Sequence, residues 1–188
     1  MPIGEQFLRM ACRDARLWIE RGCDLRLSVN LSVRQFQEIT LLHTIDSILT
    51  ETSFDSSRLE IEVTETVAMG NAELTMTLLR DLRQRRISIA IDDFGVGQSS
   101  LIYLRRFPIN NIKIDKIFIS DMLTDETDAA IVRAVISLAH TLRLSATAEG
   151  VESEEQMRML QDFGCDYLQG YYFSRPVPSE QLGALLAC

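Results

Sequence analysis

Histidine is nearly absent from this chain of 188 residues: His43 and His140 are all it has. Both fall in stretches of helical spacing, where surface or packing roles suffice, so neither a histidine general base nor a zinc site is expected. Cysteine is also sparse. Cys12, Cys23, Cys165 and Cys188 form no CxxC pair or other metal-like spacing, and they read as reduced thiols of a cytoplasmic protein. No apolar run approaches membrane-spanning length. Glu5 and Arg9 interrupt the N-terminus where a signal peptide needs an apolar core. Basic residues are the minority, with 19 Lys and Arg against 27 Asp and Glu and a net charge of −8. A nucleic-acid polymer is repelled by such a surface, and the densest basic cluster, Arg83, Arg85 and Arg86, does not reverse that. A small phosphorylated ligand stays compatible, provided metal cations offset the charge.

What is present is a regular alternation. Residues 4–22 carry helical spacing, with Phe7, Leu8, Ala11, Ala15, Trp18 and Ile19 on one side. Strand candidates follow at 25–31, 58–64, 87–93, 111–115, 144–149 and 166–170. Helical stretches alternate with them at 33–51, 71–85, 99–106, 126–142, 153–163 and 178–187. Ser153 and Gln156 fit a capping box. With 46 % hydrophobic residues and no low-complexity linker, residues 1–188 read as a single domain built on a parallel sheet.

Each strand also alternates within itself. In "LEIEVT", Leu59, Ile61 and Val63 oppose Glu60, Glu62 and Thr64. In "ISIAID", Ile87, Ile89 and Ile91 oppose Ser88, Ala90 and Asp92. "LRLSVN", "NIKID", "LSATAE" and "YLQ" repeat the pattern. A doubly wound sheet covered on both faces is apolar on both. One apolar and one polar face instead predict a barrel whose polar side converges on a site at one mouth. The strongest polar residues lie at the C-terminal strand ends: Asn30, Glu62, Asp92, Asp93, Lys113, Asp115, Glu149 and Gln169. A (β/α)8 barrel places its active site there.

Carboxylates with an amide oxygen are hard ligands, suited to Mg²⁺ or Mn²⁺. The adjacent Asp92 and Asp93 repel each other unless cations bridge or separately bind them. A two-metal site beside a lysine points to hydrolysis at phosphorus, with Lys113 orienting water or balancing developing charge. The plainer alternative makes Lys113 a counter-ion to Asp115 or Glu149. Gly95 and Gly97 form a loop beside the acids, and no third glycine completes a dinucleotide fingerprint.

"VNLS" (29–32), "EVTE" (62–65), "DDFGVGQSSL" (92–101), "IKID" (112–115), "AEGVE" (148–152) and "QGYYFSRP" (169–176) occur in that order. Together they resemble the EAL-domain family of bacterial cyclic-di-GMP phosphodiesterases, over essentially the whole chain. The resemblance implies a modified (β/α)8 barrel that hydrolyses cyclic-di-GMP to linear pGpG with Mg²⁺ or Mn²⁺. It implies metal ligation by Asn30, Glu62, Asp92, Asp93 and Glu149, and a Lys113 that orients or activates the attacking water. Gln169 is implied to hold water or metal, and Glu65 to steady the loop after the paired aspartates. Asp115 and Glu152 are implied as supporting acids behind the ligands, and a homodimer through the face carrying that loop.

Three departures accompany the resemblance. The Glu-Ala-Leu segment that names the family, with its metal-binding glutamate and phosphate-contacting arginine, is absent. Six βα units are visible where a closed barrel needs eight strands. An incomplete barrel lacking its first strands is therefore expected, with two open edges and poor stability as a monomer unless they are covered. In the loop, Val96 and Gln98 stand where threonine and tyrosine are usual, which removes a hydroxyl at Val96. Two readings of another class stand beside the enzyme: a catalytically inactive cyclic-di-GMP receptor, and a protein-interaction module.

Overall fold

The structure, a computed structural model, describes residues 3–97 and 101–186. Helix α1 (Ile3–Glu20) leads into β1 (Leu27–Asn30), and α2 (Val33–Phe36) with α3 (Leu41–Thr52) leads into β2 (Leu59–Thr64). Helices α4 (Glu65–Gly70) and α5 (Ala72–Gln84) precede β3 (Ser88–Phe94), and α6 (Leu101–Arg106) precedes β4 (Asn111–Ile114). Then come α7 (Lys116–Asp121), α8 (Glu126–Thr141), β5 (Ser145–Ala148), α9 (Glu154–Asp162) and β6 (Tyr167–Leu168). The strands form one sheet in the order β1-β2-β3-β4-β5-β6. Every neighbouring pair is parallel. Each connection advances one strand in the same direction, so all C-terminal strand ends open on one side. The result is a half-barrel with helices, as the strand parity predicts.

The apolar parity forms the core. Ile61, Val63, Ile89, Ile91, Ile112, Ile114, Ala146 and Ala148 are fully buried. They pack with Ile45, Ile48, Leu79, Leu82, Val132, Ile136 and Leu160 from the helices. The other parity faces inward: Ser28, Glu60, Glu62, Asn111, Lys113 and Thr147 line a cavity of about 720 Å³ that also reaches Gln169.

Local signals set the helix starts. Ser153 and Gln156 form the expected capping box of α9, and Ser32 with Gln35 forms a second one at α2. The stretch expected as one helix over 33–51 divides into α2 and α3. The early cap at Ser32 starts a short helix that stops before Ile39, whose side chain is fully exposed and has no apolar face to join. Helices α4 and α7 fall outside the expected ones, because each is six residues long and carries no long apolar period; Asp115 caps α7 by accepting from the Ile117 N–H at 2.7 Å. The strand expected at 166–170 pairs only over Tyr167–Leu168. The helix expected at 178–187 is a 3-10 turn over Ser179–Ala184. That turn packs on α1 so closely that a Cβ on Gly183 would lie 2.5 Å from the Trp18 ring. The first residues of the helix expected at 99–106, and Gln98, lie outside the described residues. Cys12 and Cys165 are free thiols, whereas Cys23 is disulfide-bonded, which corrects the expectation of four reduced thiols. No helix among the described residues is long and apolar enough to cross a membrane.

The fold rests on the sheet core far more than on the surface ion pairs. Arg85 binds Asp46 through two hydrogen bonds, at 2.7 and 2.8 Å, which hold the Asp46 carboxyl below its ordinary pKa. Both side chains stay partly in water, so Asp46→Asn is expected to cost at most about 1 kcal/mol. Ile89→Ala is expected to cost about 2–5 kcal/mol. A depressed carboxylate stabilises above its unfolded pKa, and that share is lost as the pH falls through the folded value. The Asp46→Asn deficit, measured by urea titration, should therefore be present at pH 7 and vanish at strongly acid pH, while the Ile89→Ala deficit persists.

Candidate active site

Lys113 is the hub. It sits on β4, 3 % exposed, with its Nζ 2.5 Å from Glu149 Oε1, 2.7 Å from Glu62 Oε2 and 3.5 Å from Asp92 Oδ1. The parallel register delivers these partners from β2, β3 and the end of β5. Burial opposes the ammonium charge, but the hydrogen bonds that Lys113 donates to Glu149 and Glu62 outweigh it, and the pKa lies above the ordinary lysine value. Lys113 therefore stands as a hydrogen-bond donor between Glu149 and Glu62.

Glu62 is held on both oxygens. Lys113 and the Asn30 amide share Oε2, the latter at 2.8 Å, and the Ser28 hydroxyl donates to Oε1 at 2.6 Å. Asn30 sits opposite Glu62 in the β1–β2 register.

Asp92 and Asp93 pose a geometric problem, since consecutive residues of a regular strand face opposite ways. The β3–β4 register shifts between Ile91 and Phe94, and Asp93 takes a left-handed conformation with φ of 54°. This irregularity re-aims the second carboxylate. One oxygen each of Asp92, Asp93 and Glu149 then lies within 4.8 Å of the others.

Crowding has a measurable sign. Burial, the charge of Asp92 and a hydrogen bond with Asp115 push the Asp93 pKa up. Burial also raises Glu149, in spite of Lys113. Four carboxylates (Glu62, Asp92, Asp93, Glu149) face one ammonium, so the group lacks positive charge. All its donors are hard oxygens. Divalent cations of the Mg²⁺ or Mn²⁺ kind fit this set, and Asp92, Asp93 and Glu149 are the residues placed to hold one.

The remaining expected residues divide. Glu65 opens α4, buried at 2 % exposure. Its Oε2 accepts from the Gly95 N–H at 3.3 Å, which ties it to the loop after Asp93, while Oε1 is buried without a partner among the described residues. Asp115 touches Asp93 from the start of α7. Gln169 follows β6 and lines the cavity, its main chain joined to Ala148 and Val151. Glu152 is exposed, its N–H donates to Gln156 Oε1 at 2.8 Å, and it is not one of the three acids whose oxygens cluster. Val96 is 58 % exposed at the loop tip.

A lower polar row escaped the site assignment although it shares the inward parity. Asn111 and Thr147 bond each other at 2.9 and 3.2 Å. Burial raises the pKa of Glu60 against hydrogen bonds to Asn111 and Ser28. The residue spacing of two within each strand is the signal that marks them.

The far wall is fixed by Gly170, where a Cβ would lie 2.1 Å from the Val151 carbonyl oxygen and 2.3 Å from its nitrogen. Main chain cannot yield by that amount, so Gly170→Ala is expected to separate the Gln169 and Glu149 segments and to lower the melting temperature measured by calorimetry. Cations are expected to act in the opposite sense. At Mn²⁺ near 100 times its Kd, binding to the native state adds about 2.7 kcal/mol, or about 5–10 °C in melting temperature for a chain of this size. Differential scanning fluorimetry should show the shift, EDTA should reverse it, and Asp92→Asn should abolish it.

The EAL domain family model matches residues 1–176 of the chain. The bifunctional diguanylate cyclase/cyclic di-GMP phosphodiesterase MucR of Pseudomonas aeruginosa is 45 % identical over 188 residues, covering all of this chain and 27 % of that protein. Cyclic di-GMP phosphodiesterase NbdA of the same organism is 40 % identical over 180 residues, covering 95 % of this chain and 23 % of that protein. The chain thus spans about a quarter of the length of these curated relatives. The solved structure of the P. aeruginosa MucR phosphodiesterase in its c-di-GMP complex superimposes with a TM-score of 0.93 at 45 % identity, covering 96 % of this chain and 73 % of that one. By its motifs, its half-barrel and this match, the chain belongs to the EAL domain family.

Proposed function

We propose that this chain hydrolyses one phosphodiester bond of cyclic-di-GMP to linear pGpG with Mg²⁺ or Mn²⁺. The observation that carries the reading is the convergence of Glu62, Asp92 and Glu149 on buried Lys113 at one mouth of the half-barrel, with Asp93 clustered beside Asp92 and Glu149. The names of MucR and NbdA supply the substrate.

Asn30, Glu62, Asp92, Asp93 and Glu149 would hold the cations. When bound there, they supply Lewis-acid polarisation of the phosphodiester and the charge that lets a dianionic substrate approach four acids. Lys113 presents its N–H donors at a fixed point, able to orient a water and to stabilise charge gathering on the phosphoryl oxygens. Gln169, at the rim, completes the polar wall against which that water is held. Glu65 keeps the Asp93–Gly97 loop against the site through the Gly95 N–H, and Asp115 supports Asp93. The same reading sets the domain in the cytoplasm and lets it pair with a second copy through the loop face, where Val96 and Ile102 are exposed apolar residues.

The test is chromatographic separation of products after incubation with cyclic-di-GMP and Mg²⁺ or Mn²⁺. Metal-dependent pGpG is expected. Glu62→Ala and Asp92→Ala should abolish it, and Lys113→Ala should bind substrate yet turn over about 100- to 1000-fold more slowly. Unimpaired turnover in either carboxylate variant overturns the two-metal assignment. Cyclic-di-GMP binding by wild-type protein without any product replaces the hydrolase with the receptor reading.

A further inference from the structure

We infer that Ser28 is a positioning residue that fixes the orientation of the Glu62 carboxylate and thereby sets the affinity of the acid group for a divalent cation. This role deepens the hydrolase reading and rests on it.

Among the described residues three side-chain donors reach Glu62, and they are unequally shared. Lys113 Nζ, at 2.7 Å, and Asn30 Nδ2, at 2.8 Å, both point at Oε2. Among the described residues Ser28 Oγ alone holds Oε1, at 2.6 Å. The terminal torsion of a glutamate is soft and broad. A carboxylate gripped through one oxygen pivots about that oxygen, whereas one gripped through both has its plane fixed. Lys113 and Asn30 supply the first grip, and Ser28 supplies the second.

The placement follows from strand geometry. Ser28 and Asn30 are two apart on β1, so both face inward. The register sets Asn30 opposite Glu62 and Ser28 opposite Glu60. Ser28 therefore stands one layer below the site and reaches up diagonally to Oε1, while its longer contact to Glu60 measures 3.4 Å. One hydroxyl proton serves one acceptor, and the shorter contact takes it. Hydrogen bonds from outside the ligand set orient ligating carboxylates in just this way, and their loss commonly weakens metal affinity about 10- to 100-fold.

The experiment uses the full chain with Mn²⁺ as the probe and no substrate, reading affinity by titration calorimetry. Ser28→Ala is expected to weaken Mn²⁺ binding about tenfold or more, with the circular dichroism spectrum unchanged. Ser28→Thr keeps the hydroxyl and should restore most of that loss. In turnover assays Ser28→Ala should lose activity at limiting Mn²⁺ and regain it at saturating Mn²⁺, with the KM for cyclic-di-GMP unmoved. A purely structural role would lower stability without this dependence on metal concentration. Mn²⁺ affinity of Ser28→Ala within twofold of wild type overturns the positioning role alone. Equal losses in Ser28→Ala and Ser28→Thr overturn it too, because the hydroxyl would then not be the active feature. Wild-type protein that takes up no Mn²⁺ overturns the hydrolase reading, and the Ser28 role falls with it.

Discussion

One ammonium group among four carboxylates is the constraint around which the inner face is arranged. A buried charge without partners is prohibitively unfavourable, and a buried cluster of like charges more so. Lys113 is tolerable in the interior because Glu62 and Glu149 lie within hydrogen-bond distance, with Asp92 slightly further away. Those three acids are tolerable partly because Lys113 is there. The dependence is mutual, and removal of any one member leaves the others under-compensated. It also stays unbalanced, since Asp93 and Glu149 keep raised pKa values with Lys113 in place. An interior that retains that imbalance is suited to binding cations, which is a functional property that carries a cost in stability.

Only a parallel sheet with consecutive strand order brings these groups together. Glu62 and Asp92 stand near the C-terminal ends of β2 and β3, Lys113 near that of β4, and Glu149 just past β5. With every crossover stepping the same way, four residues spread across almost ninety positions of sequence arrive at one mouth. A single antiparallel strand would have sent one of them to the opposite end. Gly170 closes the arrangement on the far side by letting the β6 exit lie directly on the Val151 main chain.

The alternation of side chains made much of this legible from sequence. Period-two patterning in "LEIEVT", "ISIAID" and "NIKID" was enough to separate core from interior and to collect Asn30, Glu62, Asp92, Lys113 and Glu149 at one end. It failed where the period fails. Asp93 has the wrong parity for the site, and only the left-handed residue and register shift within β3 turn it inward; parity alone carries no sign of that. Helices α4 and α7 escaped because each is six residues long, too short to show an apolar stripe. Glu152, which a motif match sets behind the ligands, has an exposed side chain in the turn after Glu149.

The two faces of the sheet divide stability from chemistry. The outward face is almost wholly aliphatic and fully buried, so the cohesion of the domain resides between strands and helices. That frees the inward face to carry groups that would weaken an ordinary core. Asn111 and Thr147 satisfy each other, and Ser28, beside Glu60, donates to Glu62. A fully satisfied polar layer is rigid in a way that an aliphatic layer of the same volume is not, because hydrogen bonds fix direction as well as distance. The lower row therefore supports the upper one as a template. It transfers the stiffness of the sheet to carboxylates whose own torsions are soft, and a site for small, geometrically demanding cations requires that stiffness more than it requires any further charge.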